Sequence, residues 1–315
     1  MASEIISPLT GKPGVKKTDS ITGKDIIQLY RHQLGIDVSR FFTTTPVVDI
    51  YECNETGYRF YYPPNVISDG KFYEELQKKG EADNTGYYRT NQFDHEYVLS
   101  LIKPGEKVLD IGSGGGGFLK ALLPTSKNIT GIELNNYTAD LCRKEGLEIF
   151  DELIEVHAQK RPAYYDVVCS FQVLEHVYDV KNFIENAIKA LKPGGRLILS
   201  VPNNDPYFLR HSKYETLNLP PHHMGLWNKE VFQNLPKLFS IVLKDVIYSG
   251  SYRWLIDAYY RAKRWAGVKT FIHHHSLGEK IRMGLLLPFS SVLSIRDKMW
   301  GKLNGGQICV YFEKK

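Results

Sequence analysis

Apolar and polar positions follow two different rhythms along the middle of the chain. Short runs made up mostly of apolar residues predict buried strands, and the stretches between them carry apolar residues at the three- and four-residue spacing of a helix. The predicted strands lie at 107–111, 129–133, 166–171 and 195–201, with a weaker one near 147–150. The predicted helices lie at 116–123, 136–145 and 180–191. Strands that alternate with helices predict an α/β fold, in which a doubly wound parallel sheet has helices on both faces.

Different patterns flank this region on both sides. The aromatic stretch 46–64 alternates apolar with polar residues around the turn sequence NETG, which predicts a β-hairpin, and 71–102 has helical spacing. A basic, aromatic block precedes a last strand-like segment. We therefore divide the chain into an N-terminal hairpin and helical extension, a core, a helical cap inserted before the final strand, and that strand. Their ranges are 1–95, 96–245, 246–305 and 306–315.

Composition narrows the class of protein only slightly. A chain of 315 residues with a formal net charge of +5 is not basic enough to call for nucleic acid as a partner. The four cysteines form no C-x-x-C pair, which argues against a disulfide framework and favours a reducing compartment. The start of the chain lacks the apolar core of a signal peptide, and the longest apolar run is too short to span a bilayer. We therefore expect a cytoplasmic protein.

The first core strand ends at an acidic residue and runs into a glycine-rich turn, VLDIGSGGGGFL at 108–119. Glycines let the backbone turn tightly and bring its N–H groups close to a ligand. The spacing of Gly112, Gly114 and Gly117 also satisfies the G-x-G-x-x-G pattern of dinucleotide sites. Asp110, however, precedes the first glycine by two residues, where its charge would repel a pyrophosphate. A ligand with an ammonium and a sulfonium group, such as S-adenosylmethionine, suits this carboxylate better.

The next predicted strand also ends in an acid, Glu133. A carboxylate at this position can accept hydrogen bonds from both hydroxyls of a ribose. Proteins that bind NAD use the same feature. Glu133 therefore indicates an adenosine ligand without choosing between cofactors.

Four successive segments resemble the motifs of class I S-adenosylmethionine-dependent methyltransferases: VLDIGSGGGGFL, GIEL, YDVVCSFQVLEHVYD and LKPGGRLILSVPN. Together they cover about 105–205. The flanking segments YECNETGYRFYYPP and LNLPPHHMGLW also resemble methyltransferase-like proteins of bacterial surface-polysaccharide biosynthesis. With these flanks the likeness extends over about 46–235.

The resemblance implies a Rossmann-like sheet of seven strands, of which the last in the chain is antiparallel. It also implies that Asp110 and the glycines line the methionine side of the cofactor, with Glu133 at the ribose. The residues that end the fourth strand would meet the cofactor and the reacting centre. Asp151 and Glu152 are weaker candidates for a contact with adenine. The predicted cofactor-binding residues are Asp110, Gly112, Ser113, Gly114, Gly116, Glu133, Leu134, Phe171 and Gln172.

Three histidines are candidates for the base from which a hydroxyl acceptor would profit. His176 follows Glu175 in the sequence VLEH, just past the fourth strand, where open α/β sheets bind their ligands. His222 and His223 follow a rigid Pro-Pro turn. The alternative for all three is a structural hydrogen bond. We predict His222 and His223 as catalytic residues ahead of His176.

No metal is predicted. The segment PNNDP (202–206) offers one carboxylate with two amides, and the three consecutive imidazoles at 273–275 cannot all face one ion. Between 251 and 305, ten basic residues stand against three acidic ones and alternate with aromatic residues. This block predicts a helical cap with solvated charges, or else peripheral contact with the inner membrane. Its cations also suit the phosphates of a nucleotide-linked sugar.

These patterns predict a methyltransferase that uses S-adenosylmethionine to methylate an oxygen of a sugar or glycoconjugate in surface-polysaccharide biosynthesis. The acceptor would be a small molecule or a lipid-linked glycan, and no nucleic acid is expected as a partner. An N- or C-methyltransferase acting on a small metabolite or a quinone precursor is the alternative. Two further hypotheses are a cofactor-binding scaffold without activity and a nicotinamide-dependent oxidoreductase, which Asp110 disfavours. The oligomeric state is left open.

Overall fold

Strands and helices alternate through the part of the chain that the structure describes, residues 4–82, 93–204, 216–249 and 305–315. In this computed structural model the strands are β1 (Val15–Thr22), β2 (Val47–Cys53), β3 (Arg59–Tyr62), β4 (Val108–Ile111), β5 (Ile129–Ile132), β6 (Glu148–Phe150), β7 (Tyr165–Phe171), β8 (Leu191–Pro202), β9 (Gly225–Leu226), β10 (Ile241–Tyr248) and β11 (Gln307–Lys314). The helices are α1 (Gly23–Leu34), α2 (Gly70–Ala82), α3 (Phe93–Leu101), α4 (Gly117–Leu122), α5 (Asn136–Lys144), α6 (Ile154–Lys160), α7 (Val180–Ala190) and α8 (Lys229–Leu238).

The main sheet has seven strands in the order β10-β11-β8-β7-β4-β5-β6. The pairs β4–β5, β4–β7, β5–β6 and β7–β8 are parallel, whereas β11 is antiparallel to both of its neighbours. The predicted Rossmann-like fold is therefore confirmed, including its antiparallel final strand. β10 is the seventh strand, which was not among the strands predicted above, and residue 246 at the predicted start of the cap lies inside it.

Successive residues of a strand point to opposite faces of the sheet, and in this sheet the side chains on both faces are buried. Val108 and Val167 pack into one buried apolar cluster, and their neighbours Leu109 and Val168 pack into another. All four residues of β4 are buried. The central strands therefore form a rigid floor, and their carboxyl ends carry the loops that follow β4, β5 and β7.

A second, antiparallel sheet of four strands has the order β1-β2-β3-β9. The predicted hairpin is its β2–β3 pair, and β9 joins it through the pairs Arg59 with Leu226 and Phe60 with Gly225. The N–H of Tyr61 also donates to the carbonyl of Met224 at 3.0 Å. Because β9 comes directly after the histidine pair, the N-terminal extension fixes the segment that carries these imidazoles.

The segment 250–304 lies outside the described residues, and with it almost all of the predicted cap, so the predictions made for that block stay predictions. Among the described helices, none combines the length and the apolar character that crossing a bilayer requires.

Candidate functional site

The turn between β4 and α4 has a backbone that only glycine adopts readily. Gly112 has φ +77°, and a Cβ placed on it would lie 2.4 Å from Cγ2 of Val173. Gly116 has φ +70°, and its Cβ would lie 2.6 Å from Cδ1 of Leu147. Left-handed backbone is costly for residues with a side chain, and both positions also lack space. The glycines therefore let the turn fold back against the loops that follow β7 and α5.

Glu133, at the end of β5, ties this turn to the neighbouring strand. One carboxylate oxygen accepts from the N–H of Gly114 at 2.8 Å, and the other accepts from the N–H of Asn135 at 2.7 Å. Each oxygen keeps a further lone pair for a ligand. The next residue, Leu134, leaves 57% of its surface exposed. Glu133 and Leu134, both predicted to bind the cofactor, thus place a carboxylate held by hydrogen bonds next to an exposed apolar side chain.

Asp110 is buried, and its Oδ1 has no hydrogen-bond partner among the described residues. Burial, with a smaller contribution from the nearby carboxyls of Glu133 and Asp94, raises the pKa of Asp110 to about 8. Asp94 comes from α3 and was not among the predicted site residues. Three acidic side chains from separate elements therefore converge here, which favours a positively charged ligand.

Phe171 and Gln172 lie at the carboxyl end of β7, as their position in the sequence predicts. The ring of Phe171 meets those of Phe118 and His95 edge-on, at centroid distances of 4.8 and 4.6 Å. Gln172 has φ +55°, and its side-chain amide donates to Oγ of Ser200 at 3.2 Å. The Ser200 hydroxyl donates in turn to Asp94 at 2.6 Å. A polar chain thus runs from the end of β7 to the acidic cluster.

The two candidates for an adenine contact differ in their surroundings. Glu152 accepts from Nδ1 of His157 at 2.8 Å and pairs with Lys160, so its carboxylate belongs to an internal network. Asp151 lies against the side chain of Asn136 on α5. Asp151 is therefore the better candidate of the two for a contact with a ligand at the ends of β5 and β6.

The three candidate histidines form one cluster, although His176 lies far in the sequence from the adjacent pair His222 and His223. Their ring centroids are separated by 4.5 to 4.9 Å, and one ring nitrogen from each lies within 4.8 Å of the other two. Burial lowers the pKa of His176 to about 4 and holds the pKa of His222 and of His223 well below the usual value. All three imidazoles are therefore neutral near pH 7.

Glu175 joins the two loops that carry this cluster. Its carbonyl accepts from the N–H groups of Met224 and Gly225, at 2.8 and 3.0 Å. Its carboxyl is buried, and Oε1 lies 3.8 Å from Nε2 of His176 and 4.0 Å from Nε2 of His223. Burial raises the pKa of Glu175 to about 8, and Asp94 contributes in the same direction. Through Asp94, the histidine cluster and the glycine turn belong to one electrostatic neighbourhood.

Comparisons with known proteins agree with this arrangement. Residues 86–242, about half of the chain, match the family model described as a methyltransferase domain. Over 107 residues the chain is 36% identical to the ubiquinone biosynthesis O-methyltransferase of Idiomarina loihiensis, a match that covers 32% of this chain and 44% of that one. Over 153 residues it is 33% identical to the Vibrio cholerae enzyme of that name, with 45% and 61% covered.

The strand order, the antiparallel final strand and the acidic glycine turn define the class I S-adenosylmethionine-dependent methyltransferase fold. The chain belongs to this family through its methyltransferase domain, residues 86–242.

The chain spans only 44 to 61% of the length of the curated relatives described above. Among solved structures it is similar to the (4+2)-cyclase SpnF, with 14% identity, a TM-score of 0.50, and 78% of this chain and 95% of the other covered. A protein named as a cyclase shares the fold, so the reaction has to be argued from the site.

Proposed function

We propose that the protein transfers a methyl group from S-adenosylmethionine to a hydroxyl oxygen of a small molecule. The observation that carries this proposal is the buried carboxyl of Asp110 at the glycine turn, whose Oδ1 has no hydrogen-bond partner among the described residues. Oγ of Ser113, on the same turn, is also buried without a partner there. Unsatisfied buried polar atoms beside bare backbone indicate a polar ligand, and the converging carboxyls favour a cation.

The cradle fits this cofactor in charge and in shape. Asp110 would attract its ammonium group, and Glu133 would accept hydrogen bonds from the ribose hydroxyls with its remaining lone pairs. The exposed surface of Leu134 would support the adenine. When bound, S-adenosylmethionine supplies a methyl group on a positively charged sulfur. The protein is then left to align the acceptor and to exclude water, and alignment alone can supply about 7–11 kcal/mol of the barrier.

The acceptor would lie on the histidine side of the site. Phe72 and Tyr73 of α2 pack against this cluster, with the Phe72 ring 5.8 Å from that of His222 and the Tyr73 ring 5.8 Å from that of His176. Phe72 is fully buried, whereas Tyr73 and His176 are partly exposed and would pack against a flat acceptor, because ring pairs stabilise one another edge-on or offset. The names of the two relatives, which refer to ubiquinone biosynthesis, support an acceptor of the same kind.

We therefore place the phenolic hydroxyl of a quinone precursor first among acceptors. A sugar or glycoconjugate, the acceptor favoured by the flanking sequence alone, comes second because neither relative described above is named for polysaccharide biosynthesis. Methylation of nitrogen or carbon has no specific support in this site.

A turnover assay on the full chain tests the proposal. The protein is incubated with S-adenosylmethionine and, in separate reactions, with protocatechuate, caffeate or a nucleotide-linked sugar, and S-adenosylhomocysteine is measured by mass spectrometry. We expect product with the phenols and none with the sugar. Product with the sugar alone would contradict a phenolic acceptor and support methylation of a glycan. Cofactor binding by calorimetry without turnover on any acceptor would indicate a scaffold, and absence of cofactor binding would contradict the proposal altogether.

Glu133→Gln should weaken S-adenosylmethionine binding about tenfold, because the charge that strengthens the ribose hydrogen bonds is lost. The carboxylate now accepts hydrogen bonds from two backbone N–H groups. The amide NH₂ would face one of these donors and lose that hydrogen bond, so the melting temperature should fall slightly. Isothermal calorimetry at fixed ionic strength measures the affinity. Glu55→Gln, at an exposed surface acid, is the matched control and should leave the affinity unchanged. Equal affinities in all three proteins would remove Glu133 from the site.

A further inference from the structure

The histidine cluster has a second property, which concerns the hydrogen bonds of its outer nitrogens. Nδ1 of His176 lies 2.7 Å from the carbonyl oxygen of His222, and Nδ1 of His222 lies 2.8 Å from the carbonyl oxygen of Leu217. A carbonyl oxygen only accepts, so each of these nitrogens carries a proton and donates it. In a neutral imidazole the proton on Nδ1 leaves a lone pair on Nε2.

The third ring is oriented in the same way through a side chain. Nδ1 of His223 lies 3.0 Å from Oδ1 of Asn218, and Nδ2 of Asn218 donates to Oδ1 of Asn204 at 2.7 Å. This second bond fixes which end of the Asn218 amide faces the imidazole. His223 therefore also donates from Nδ1 and keeps its lone pair on Nε2.

The three imidazoles thus form one cluster of ring nitrogens, and a carboxyl lies beside Nε2 of His176 and Nε2 of His223. One ring nitrogen from each residue lies within 4.8 Å of the other two, and Oε1 of Glu175 lies within 4.0 Å of Nε2 of both His176 and His223. Imidazoles that ligate a metal donate their other N–H to a carbonyl or carboxylate in this way, which fixes the tautomer and the ring orientation.

We propose that His176, His222 and His223 bind a divalent first-row transition metal, with the Glu175 carboxylate as the fourth ligand. Three imidazoles and one oxygen form a donor set that suits Zn²⁺ and its neighbours in the series, whereas Mg²⁺ and Ca²⁺ prefer oxygen alone. Zinc–nitrogen bonds of 2.0–2.1 Å place tetrahedral ligands about 3.4 Å apart, so the rings would close by about 1 Å on binding. This proposed metal site differs from the prediction of no metal, which considered only the segment 202–206 and the imidazoles at 273–275.

The inference goes beyond methyl transfer and can fail independently of it. A metal at this position would lie close to Tyr73, whose ring is 5.8 Å from that of His176. It could take a hydroxyl oxygen as a fifth ligand and lower the pKa of that hydroxyl. Metal content, however, is measured without turnover. Absence of the metal with turnover intact would refute only this inference, and a bound metal without turnover would refute only the proposed function.

The experiment uses the untagged full chain in which His273, His274 and His275 are replaced by Ala, so that any weak contact of these imidazoles with metal does not add to the signal of the cluster. After dialysis against a chelator, Zn²⁺ affinity is measured by competition with a chromophoric chelator, and Co²⁺ binding is followed by its visible absorption. We expect one ion per chain. His222→Ala and His223→Ala should each weaken Zn²⁺ binding by at least about a hundredfold, since each removes one of four ligands.

Two further variants separate ligation from folding. Asn218→Ala keeps all three imidazoles and removes the hydrogen bond that orients His223, together with the one to Asn204, so Zn²⁺ affinity should fall about ten- to a hundredfold. His32→Ala, at an exposed position on α1, should bind as the parent does. Circular dichroism identifies any variant that fails to fold. Absence of stoichiometric binding in the parent, or parent-like affinity in folded His223→Ala and Asn218→Ala, would overturn the inference.

Discussion

Asp110→Asn should weaken S-adenosylmethionine binding about ten- to a hundredfold and at the same time raise the melting temperature of the unliganded protein. The amide keeps the shape of the carboxyl but lacks its charge, and a hydrogen bond to a charged group contributes about 1.5–3 kcal/mol. Without ligand, burial of the Asp110 carboxylate destabilises the fold because its charge is taken out of water, and the neutral amide removes the cost of burying that charge. Calorimetry measures the first effect and thermal unfolding the second.

The gain in stability should depend on pH. Burial raises the pKa of Asp110 to about 8, whereas in the unfolded chain it is about 4. Between these values the folded protein holds a proton that the unfolded chain has lost, so this group makes stability fall as pH rises. The advantage of Asp110→Asn should therefore grow from about pH 5 to pH 8 and level off above it.

A surface acid provides the control for both effects. Asp140→Asn, on the exposed side of α5, should change neither the affinity nor the pH profile of unfolding. Two results would contradict the electrostatic role of Asp110: an affinity equal to that of the parent, or a difference in melting temperature that stays constant across this pH range. A fall in affinity without any gain in stability would mean that the carboxyl is stabilised in the unliganded protein.

The core of the fold could be predicted because buried parallel strands have a distinct pattern. β4 and β7 are covered on both faces, so their sequences are almost wholly apolar and end abruptly at the ligand side. The glycine turn was predictable for a similar reason, since its positive φ angles and close contacts restrict the residue type. Each of these signals is local, and a local pattern is sufficient to find it.

The elements missed by the sequence analysis lack such a signal. β1, with the sequence VKKTDSIT, is mostly exposed and polar, and it is held by pairing with β2. β9 has two residues and exists only because β3 pairs with it. β10 has an irregular register between Leu243 and Asp245, which interrupts the alternation expected of an edge strand. In all three, tertiary pairing determines the strand more than the residues themselves.

The site residues also divide into those with a local sequence signal and those that only the fold brings together. Asp110 and Glu133 were identified because each ends a strand, but Asp94 lies in a helix without any motif and reaches the cluster only through the fold. The three histidines could be proposed singly as bases. Their convergence depends on the backbone hydrogen bonds from Met224 and Gly225 to Glu175, which no spacing in the sequence indicates.

Gly112→Ala should lower the free energy of unfolding by about 2–5 kcal/mol, the sum of a left-handed backbone and of overpacking. Its Cβ would lie 2.4 Å from Cγ2 of Val173, so the turn must shift away from the loop that leads to His176. That shift would also displace the backbone that faces the cofactor. Urea unfolding measures the stability, and calorimetry should show a loss of S-adenosylmethionine affinity of more than tenfold.

Two variants decide whether the strain acts as described. A Cβ on Gly115, in the same turn, meets nothing within 4 Å, so Gly115→Ala should leave the stability of the unliganded protein nearly unchanged. Any loss of affinity in Gly115→Ala would then come from contact with the ligand itself. The double variant Gly112→Ala with Val173→Ala removes the clash but not the left-handed backbone, and should therefore recover part of the destabilisation. If Gly112→Ala unfolds at the same urea concentration as the parent, close packing of this turn against the loop after β7 does not exist in solution.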